Sequence, residues 1–452
     1  MIRARLNLKL AGFVVLGILM SAPAGAGAQE FLPLSLGEVI RMAGERNVQI
    51  IVADQRVRQA LDRMDEEAAV FAPQLSGSVI QKRQTRDIRA SGLSLSSSSE
   101  VVGPSNIFDA RVTLTQTILD PVAVERLKAA RVGTNWSDAH SRKVRQHVFA
   151  LAAALFVRAR SASQEEKFGQ VMAERDRQYM EVARGKKEMG TGSSIAWKRA
   201  KADYRESIYQ YRMAAANAEE RRLDLLAALG LPSGQEVIFA SEDDLAGERI
   251  PALGPDPARI ENLIKGHPDM ESALKEADLR RAEYDAQKAG YWPKVSAFAD
   301  YGPGGVTPGD ANNTYAFGVQ ASVPVWEGGA RQAKIREAQS KLTESEAVAA
   351  DTRLRVEAEV RSSLEAVRGA SALVEAKDAA VEVAEDHLKQ TQRRADNGSA
   401  SELELIDAAA GKRSAVYERQ AAWASYVIAR VNLARALGDV ESVVQRKDGS
   451  LP

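Results

Sequence analysis

The chain has 452 residues, and 61 basic side chains balance 61 acidic ones, so no net field draws it to nucleic acid or to an anionic membrane surface. It has no cysteine, which excludes disulfides, thiolate metal sites, a cysteine nucleophile and a lipid carried on an N-terminal cysteine. The length suits two or three ordinary domains, yet the chemistry is uniform from end to end.

Residues 1–28 read as a signal peptide. Arg3, Arg5 and Lys9 precede the apolar run from Leu10 to Met20, and Ala26-Gly27-Ala28 offers a small-residue cleavage site after Ala28. The run is shorter than the roughly 20 residues that cross a bilayer as a helix, and no later window is long or apolar enough. The mature chain is therefore expected to be exported, and any membrane-crossing part must be β-barrel, which also satisfies its own backbone in lipid. An uncleaved N-terminal anchor is the competing reading.

Proline maps where helices cannot run, because in a helix interior it costs about 3 kcal/mol. None occurs between Pro33 and Pro73, Pro121 and Pro232, Pro268 and Pro293, or Pro324 and Pro452. These windows are rich in good helix formers. Apolar residues recur in them at helical spacing, as in Val148, Leu151, Leu155 and Ala159, or Leu373, Ala376, Ala380, Val383 and Ala384. Narrow, alanine-rich stripes on charged helices suit a coiled-coil-like wall or an ordinary bundle.

Between the helical windows, two segments alternate with a period of two. Ile107 to Leu119 places Phe108, Ala110, Val112, Leu114 and Ile118 on one face, and Asn313 to Trp326 does so with Tyr315, Phe317, Val319, Ala321, Val323 and Val325. Weaker partners lie upstream at Pro73 to Arg83 and Trp292 to Tyr301. The connecting loops hold residues 96–99, Gly92 and Gly103 in the first case, and Gly302-Pro303-Gly304-Gly305 and Asp310-Ala311-Asn312 in the second. Each half thus carries one long-looped hairpin.

The halves form an internal repeat. Residues 34–232 make one copy, 233–257 a surface linker with an acidic run at 242–244, 258–440 the second copy and 441–452 a tail. The long helical segments, Val122 to Lys187 and Glu327 to Asn397, end at small polar turns. These are Gly190-Thr191-Gly192-Ser193 in the first copy and Gly398-Ser399-Ala400-Ser401 in the second. At about 1.5 Å per residue the long segments reach on the order of 100 Å. The strands, about 9 to 13 residues, have the length that crosses an outer membrane when tilted. Four strands cannot close a barrel, so a channel must be oligomeric: two copies give a filled lumen, three an open passage, and a conduit favours three.

The ordered phrases resemble the TolC family of outer-membrane efflux proteins over residues 34–440. Ser35-Leu36-Gly37-Glu38-Val39-Ile40 is similar to the opening of the family's repeat. Thr113-Leu114-Thr115-Gln116-Thr117-Ile118-Leu119-Asp120 and Ser322-Val323-Pro324-Val325-Trp326-Glu327-Gly328-Gly329 are similar to the phrases its strands lead into. The resemblance implies a mainly α fold with a membrane β-barrel: tandem helix, β-hairpin, long-helix repeats that trimerise into a 12-stranded barrel continuous with a periplasmic α-helical barrel. It implies an exit duct in the outer membrane, a homotrimer in contact with outer-membrane lipid, that works with a periplasmic adaptor protein and, through it, an inner-membrane transporter. The two glycine turns would be the adaptor-docking tips. Glu404 and Asp407, i,i+3 on one helix face, would ring the periplasmic entrance. The matching first-copy positions are Ala196 and Arg199, so Arg199 becomes a candidate partner for an acidic group on the neighbouring tip, and Ala400 stands where relatives can place a basic latch.

The histidines His140, His147, His267 and His387 lie far apart, and no phosphate loop or nucleophile elbow occurs. The sequence therefore proposes no enzyme, cofactor, metal or nucleic-acid partner. A soluble periplasmic coiled-coil scaffold or adaptor would share the helices and the export signal, but it leaves the two membrane-length hairpins unexplained. Drug efflux, metal efflux and protein secretion all stay open.

Overall fold

The computed structural model describes residues 32–87, 101–239 and 266–441. The expected signal peptide, the loop residues 96–99, the acidic run 242–244 and residues 442–452 of the tail lie outside them.

Strand β1 (Leu32–Leu34) leads into α1 (Leu36–Arg46) and α2 (Val48–Ala69), then β2 (Gln74–Asp87) and β3 (Val101–Leu119). The long α3 (Pro121–Glu188), α4 (Ser194–Ala228) and β4 (Val237–Phe239) follow. The order recurs with α5 (Pro268–Ala289), β5 (Lys294–Gly305), β6 (Asn312–Ser322), α6 (Ala330–Asp396) and α7 (Glu402–Ala436). Helix α3 begins with Pro121 in its first turn, where a missing N–H costs nothing, and Asp120 caps it by accepting the Ala123 N–H at 3.1 Å. Its 68 residues rise about 100 Å. The proline-free window between Pro33 and Pro73 holds two helices, not one. At Asn47 the backbone turns extended, and the side chain accepts the Gln49 N–H at 2.9 Å, starting a new helix.

Near the sheet, α3 packs on α2 and α5, and α5 on α6; toward the far end α3 packs on α4 and α7, and α7 on α6. The wall is thus four helices wide throughout, with α2 or α4 on one edge and α6 on the other. Its main core sits at mid-height, where α1, α3, α4 and α7 meet around Val39, Phe149, Phe156, Leu225, Leu229 and Val431. The expected stripe on α3 needs correction there: Leu151 is 49% exposed, whereas Val148, Phe149, Ala152, Ala153, Phe156 and Ala159 are buried. Several elements surround α3 at this level, so its buried face is broad. The segment expected to be a bare linker also contributes: β4 pairs in parallel with β1, and Phe239 packs on the core.

The hairpins join in one antiparallel sheet, β2-β3-β5-β6, leaving β2 and β6 as edges. In register, Leu75 faces Leu114, Leu114 faces Ala299 and Ala299 faces Phe317, while Val112 faces Tyr301 and Tyr301 faces Tyr315. These side chains form one apolar face, bare to the outside: Tyr315 is 73% and Phe317 77% exposed. The other face is polar. Arg111 reaches across it from β3, donating to Asp109 at 2.7 Å, to Asp300 on β5 at 2.6 Å and to Thr314 on β6 at 3.2 Å.

The strands depart from their expected bounds. β3 starts at Val101, and β5 runs through Gly302 to Gly305 instead of turning there. A Cβ on Gly302 would stand 1.9 Å from the Ala110 carbonyl oxygen, so glycine permits close strand approach. β6 stops at Ser322, two residues before Pro324, which cannot donate to a ladder. Ile118, placed on the apolar face by alternation, is skipped by a register shift, and Leu119 pairs with Val295 in its place.

Candidate functional site at the helix-turn tips

The ends of the wall farthest from the sheet are the α3–α4 and α6–α7 turns. In the first, the Gly190, Thr191 and Gly192 N–H groups donate back to the last carbonyls of α3: Gly190 to Lys187 at 3.1 Å, and Thr191 and Gly192 to Lys186 at 2.9 and 2.8 Å. Gly190 has φ 74°, the left-handed conformation that ends helices, and a Cβ on Gly192 would lie 2.9 Å from Lys186 Cβ. Ser193 then starts α4 by accepting the Ile195 N–H at 3.1 Å. The second turn repeats this with Gly398 at φ 70° and the Ser399 N–H on the Arg394 carbonyl at 2.7 Å. Arg394 Nη2 closes the turn by donating to the Ser399 carbonyl at 3.1 Å. Ala400 adds no polar group to it.

Ser401 and Glu404 form a capping box: the Glu404 N–H donates to Ser401 Oγ at 3.2 Å, and the Ser401 N–H donates to Glu404 Oε2 at 2.7 Å. That backbone hydrogen bond holds the Glu404 carboxyl below its ordinary value, and Arg394 stands 3.6 Å away. The Glu404 carboxylate is therefore folded back on its helix start. Asp407, one turn on, is exposed and lies beside the Tyr179 hydroxyl of α3, which donates to the Leu403 carbonyl at 3.1 Å. Burial, then the neighbouring Asp407 carboxylate, push the Tyr179 phenol up to about 12. Tyr179 thus ties the second tip to the first repeat, reinforced by the Phe168 and Tyr417 rings stacked at 4.5 Å.

Arg199 is exposed on α4 and makes no ion pair among the described residues. Within one chain the structure brings together Glu404 with Ser401 and Arg394, and Asp407 with Tyr179; no hydrogen bond or ion pair joins Arg199 to either acid. Sequence reasoning missed Tyr179 and Arg394. The Ser401-x-x-Glu404 spacing was a readable capping-box signal, but a tyrosine partner 224 residues from Leu403 had none.

Two of the histidines are structural. His267 caps α5, accepting the Asp269 N–H at 3.1 Å, and His147 Nε2 lies 3.0 Å from Asp269 Oδ1. Among the described residues no cluster of His, Cys, Asp or Glu could hold a metal ion, and no helix is long and apolar enough to cross a membrane.

The wall of helices topped by an open-edged sheet is a fold that solved structures share. Residues 260–439 match the model of the outer membrane efflux protein family. The fold is shared with the Campylobacter jejuni CmeC outer membrane channel at 17% identity and TM-score 0.72, over 97% of this chain and 94% of that one. It is shared with the open state of the Neisseria gonorrhoeae MtrE outer membrane channel at 18% identity and TM-score 0.69, over 92% and 91%. The outer membrane protein VceC of Vibrio cholerae aligns at 15% identity and TM-score 0.69, over 89% and 96%. No curated protein matches the chain.

Proposed function

We propose that three copies of the chain form a passive exit duct across the outer membrane of a Gram-negative bacterium, for substrates delivered by an inner-membrane transporter through a periplasmic adaptor, in a tripartite efflux or type I secretion system. One observation carries this reading: the sheet has an apolar face bare to the outside, a polar face crossed by Arg111, and two unpaired edges. In lipid each unpaired backbone group costs several kcal/mol, so the edges demand partners, and three sets of strands give a barrel of about twelve with an open lumen.

The helical edges support the same assembly. On α4 the exposed residues Ile195, Arg199, Ala202, Glu206, Tyr209 and Met213 follow heptad spacing. On the opposite edge α6 exposes Leu373, Ala376, Ala380 and Val383 at the same spacing, while its buried seam runs through Ser345, Ala349, Thr352, Val356, Val360, Ser363 and Val367. Two bare seams of matching period fit antiparallel packing of α4 on α6 of the next copy. The Trp292 and Trp326 side chains, 67% and 86% exposed beside the strand bases, suit the membrane interface.

In this reading residues 34–232 and 258–440 are the two efflux repeats, the turns at Gly190 and Gly398 meet the adaptor, and Asp407 with Glu404 lines the entrance. Arg199, on the seam edge of α4, faces the neighbouring copy. Membrane fractionation with native mass spectrometry tests it: a trimer retained in the outer membrane through a high-salt wash is expected. A protein that washes off as a monomer is a periplasmic scaffold instead. For the entrance, single-channel recordings of Glu404→Ala, Asp407→Ala should show weakened cation selectivity; unchanged selectivity removes that assignment.

A further inference from the structure

The two tips differ in charge. Residues 184–206, around the first, carry seven basic and three acidic side chains, whereas the matching stretch 392–414, around the second, carries four of each. Several cations on these helices have a carboxylate one turn away, as Arg177 has Glu174 and Glu181, and Arg222 has Glu219. The first turns of α4 gather cations that do not. Lys198 and Arg205 are exposed and form no ion pair among the described residues. Lys187 and Lys201 converge on the Trp197 ring, 4.1 and 5.1 Å from its centroid. The ring attracts each ammonium, but the two repel one another, and no carboxylate relieves them. Lys198, Lys201 and Arg205, spaced i, i+3 and i+7, share one flank of α4 and line a shallow groove with Trp197. Its one acid, Glu206, accepts a hydrogen bond from the Gln210 amide at 2.7 Å. Ala202 and Glu206 form the edge that this groove shares with the Ile195-Arg199-Ala202 seam, while Lys198, Lys201 and Arg205 stand roughly a quarter turn round the helix from that seam.

We infer that this groove docks an acidic helical segment of the adaptor, so that the first tip reads its partner by charge and the second does not. The inference rests on the docking reading above and adds the partner's chemistry. Clustered unpaired cations around an aromatic platform supply a local field that selects carboxylates and steers their approach, and salt weakens it.

The purified full-length protein in detergent is titrated with three synthetic helical hairpins alike except that their loop-proximal turns carry Glu, Gln or Lys. Binding is read by interferometry and by Trp emission at low and high salt. The Glu hairpin is expected to bind on the order of tenfold tighter than the Gln hairpin at low salt, with the difference lost at high salt. Lys198→Gln, Lys201→Gln, Arg205→Gln should abolish the preference, and the corresponding triple Glu variant should transfer it to the Lys hairpin. Equal affinity for the Glu and Gln hairpins overturns the charge inference and leaves docking intact. Failure of every hairpin to bind overturns docking and the inference with it. A Gln variant that loses the wild-type oligomeric mass assigns these cations to the subunit interface, which also overturns it.

Discussion

Replacing Phe156 by Ala tests whether the mid-height core holds the repeats together. The ring is 1% exposed and meets Phe239 edge-on, with centroids 5.8 Å apart and planes at 61°. Transfer of a buried phenyl group accounts for about 3 kcal/mol, and the cavity left among Val39, Phe149, Leu225 and Val431 raises the expected loss to about 4 kcal/mol. The Phe239 contact contributes about 1 kcal/mol of that beyond area. Denaturant unfolding of the purified protein, followed by far-UV circular dichroism, measures the loss, and Phe156→Leu should cost no more than about 1.5 kcal/mol. A double-mutant cycle with Phe239→Ala should return a coupling of about 1 kcal/mol. A loss below about 1 kcal/mol, or full additivity, would refute both the packing role of Phe156 and the claim that β4 belongs to the core.

Three further outcomes are expected. Burial holds the His267 imidazole below its ordinary 6.5, while its Nδ1 accepts the Asp269 N–H. The unfolded chain therefore binds a proton that the folded one resists, so this stability is full above about pH 6.5 and declines as pH falls toward the folded value. His267→Asn keeps a capping side chain and should flatten the fall in thermal midpoint between about pH 6.5 and 5. Gly302→Ala drives a Cβ into the Ala110 carbonyl and should separate β3 from β5, leaving no oligomer in the outer membrane by semi-native gel; wild-type amounts of oligomer would contradict the register. Ser401→Ala removes the cap of α7 and should cost about 1 kcal/mol locally, read as faster amide exchange at Leu403 to Leu405 with no change at Ile195; uniform exchange at both tips would deny the cap its role.

Much of the architecture was legible because its signals are local. Proline confined the helices, alternation at Ile107 to Leu119 and Asn313 to Trp326 marked two strands, the second of which stops at Ser322, and glycine followed by a serine cap marked each tip. What escaped was decided across long separations. Gly302-Pro303-Gly304-Gly305 reads as a turn, yet it is strand because Ala110, far away in sequence, approaches too closely for any side chain. Leu151 and Ala152 fit helical stripes equally well, and which one is buried depends on what surrounds α3 at mid-height. The acids at 404 and 407 share a face by spacing, but Glu404 serves its own helix start, leaving Asp407 beside Tyr179 as the more available charge. The stripe at Leu373, Ala376, Ala380 and Val383 is the most instructive case. Its period marks a packing seam, and the single chain leaves it bare. A helix that keeps a heptad on two faces packs on both, and here the helices of the chain cover only one of them. A substitution such as Val383→Glu should therefore spare the folded subunit, since Val383 is 71% exposed, and act on assembly. Retention of a wild-type oligomer would mean that the seam faces no neighbour.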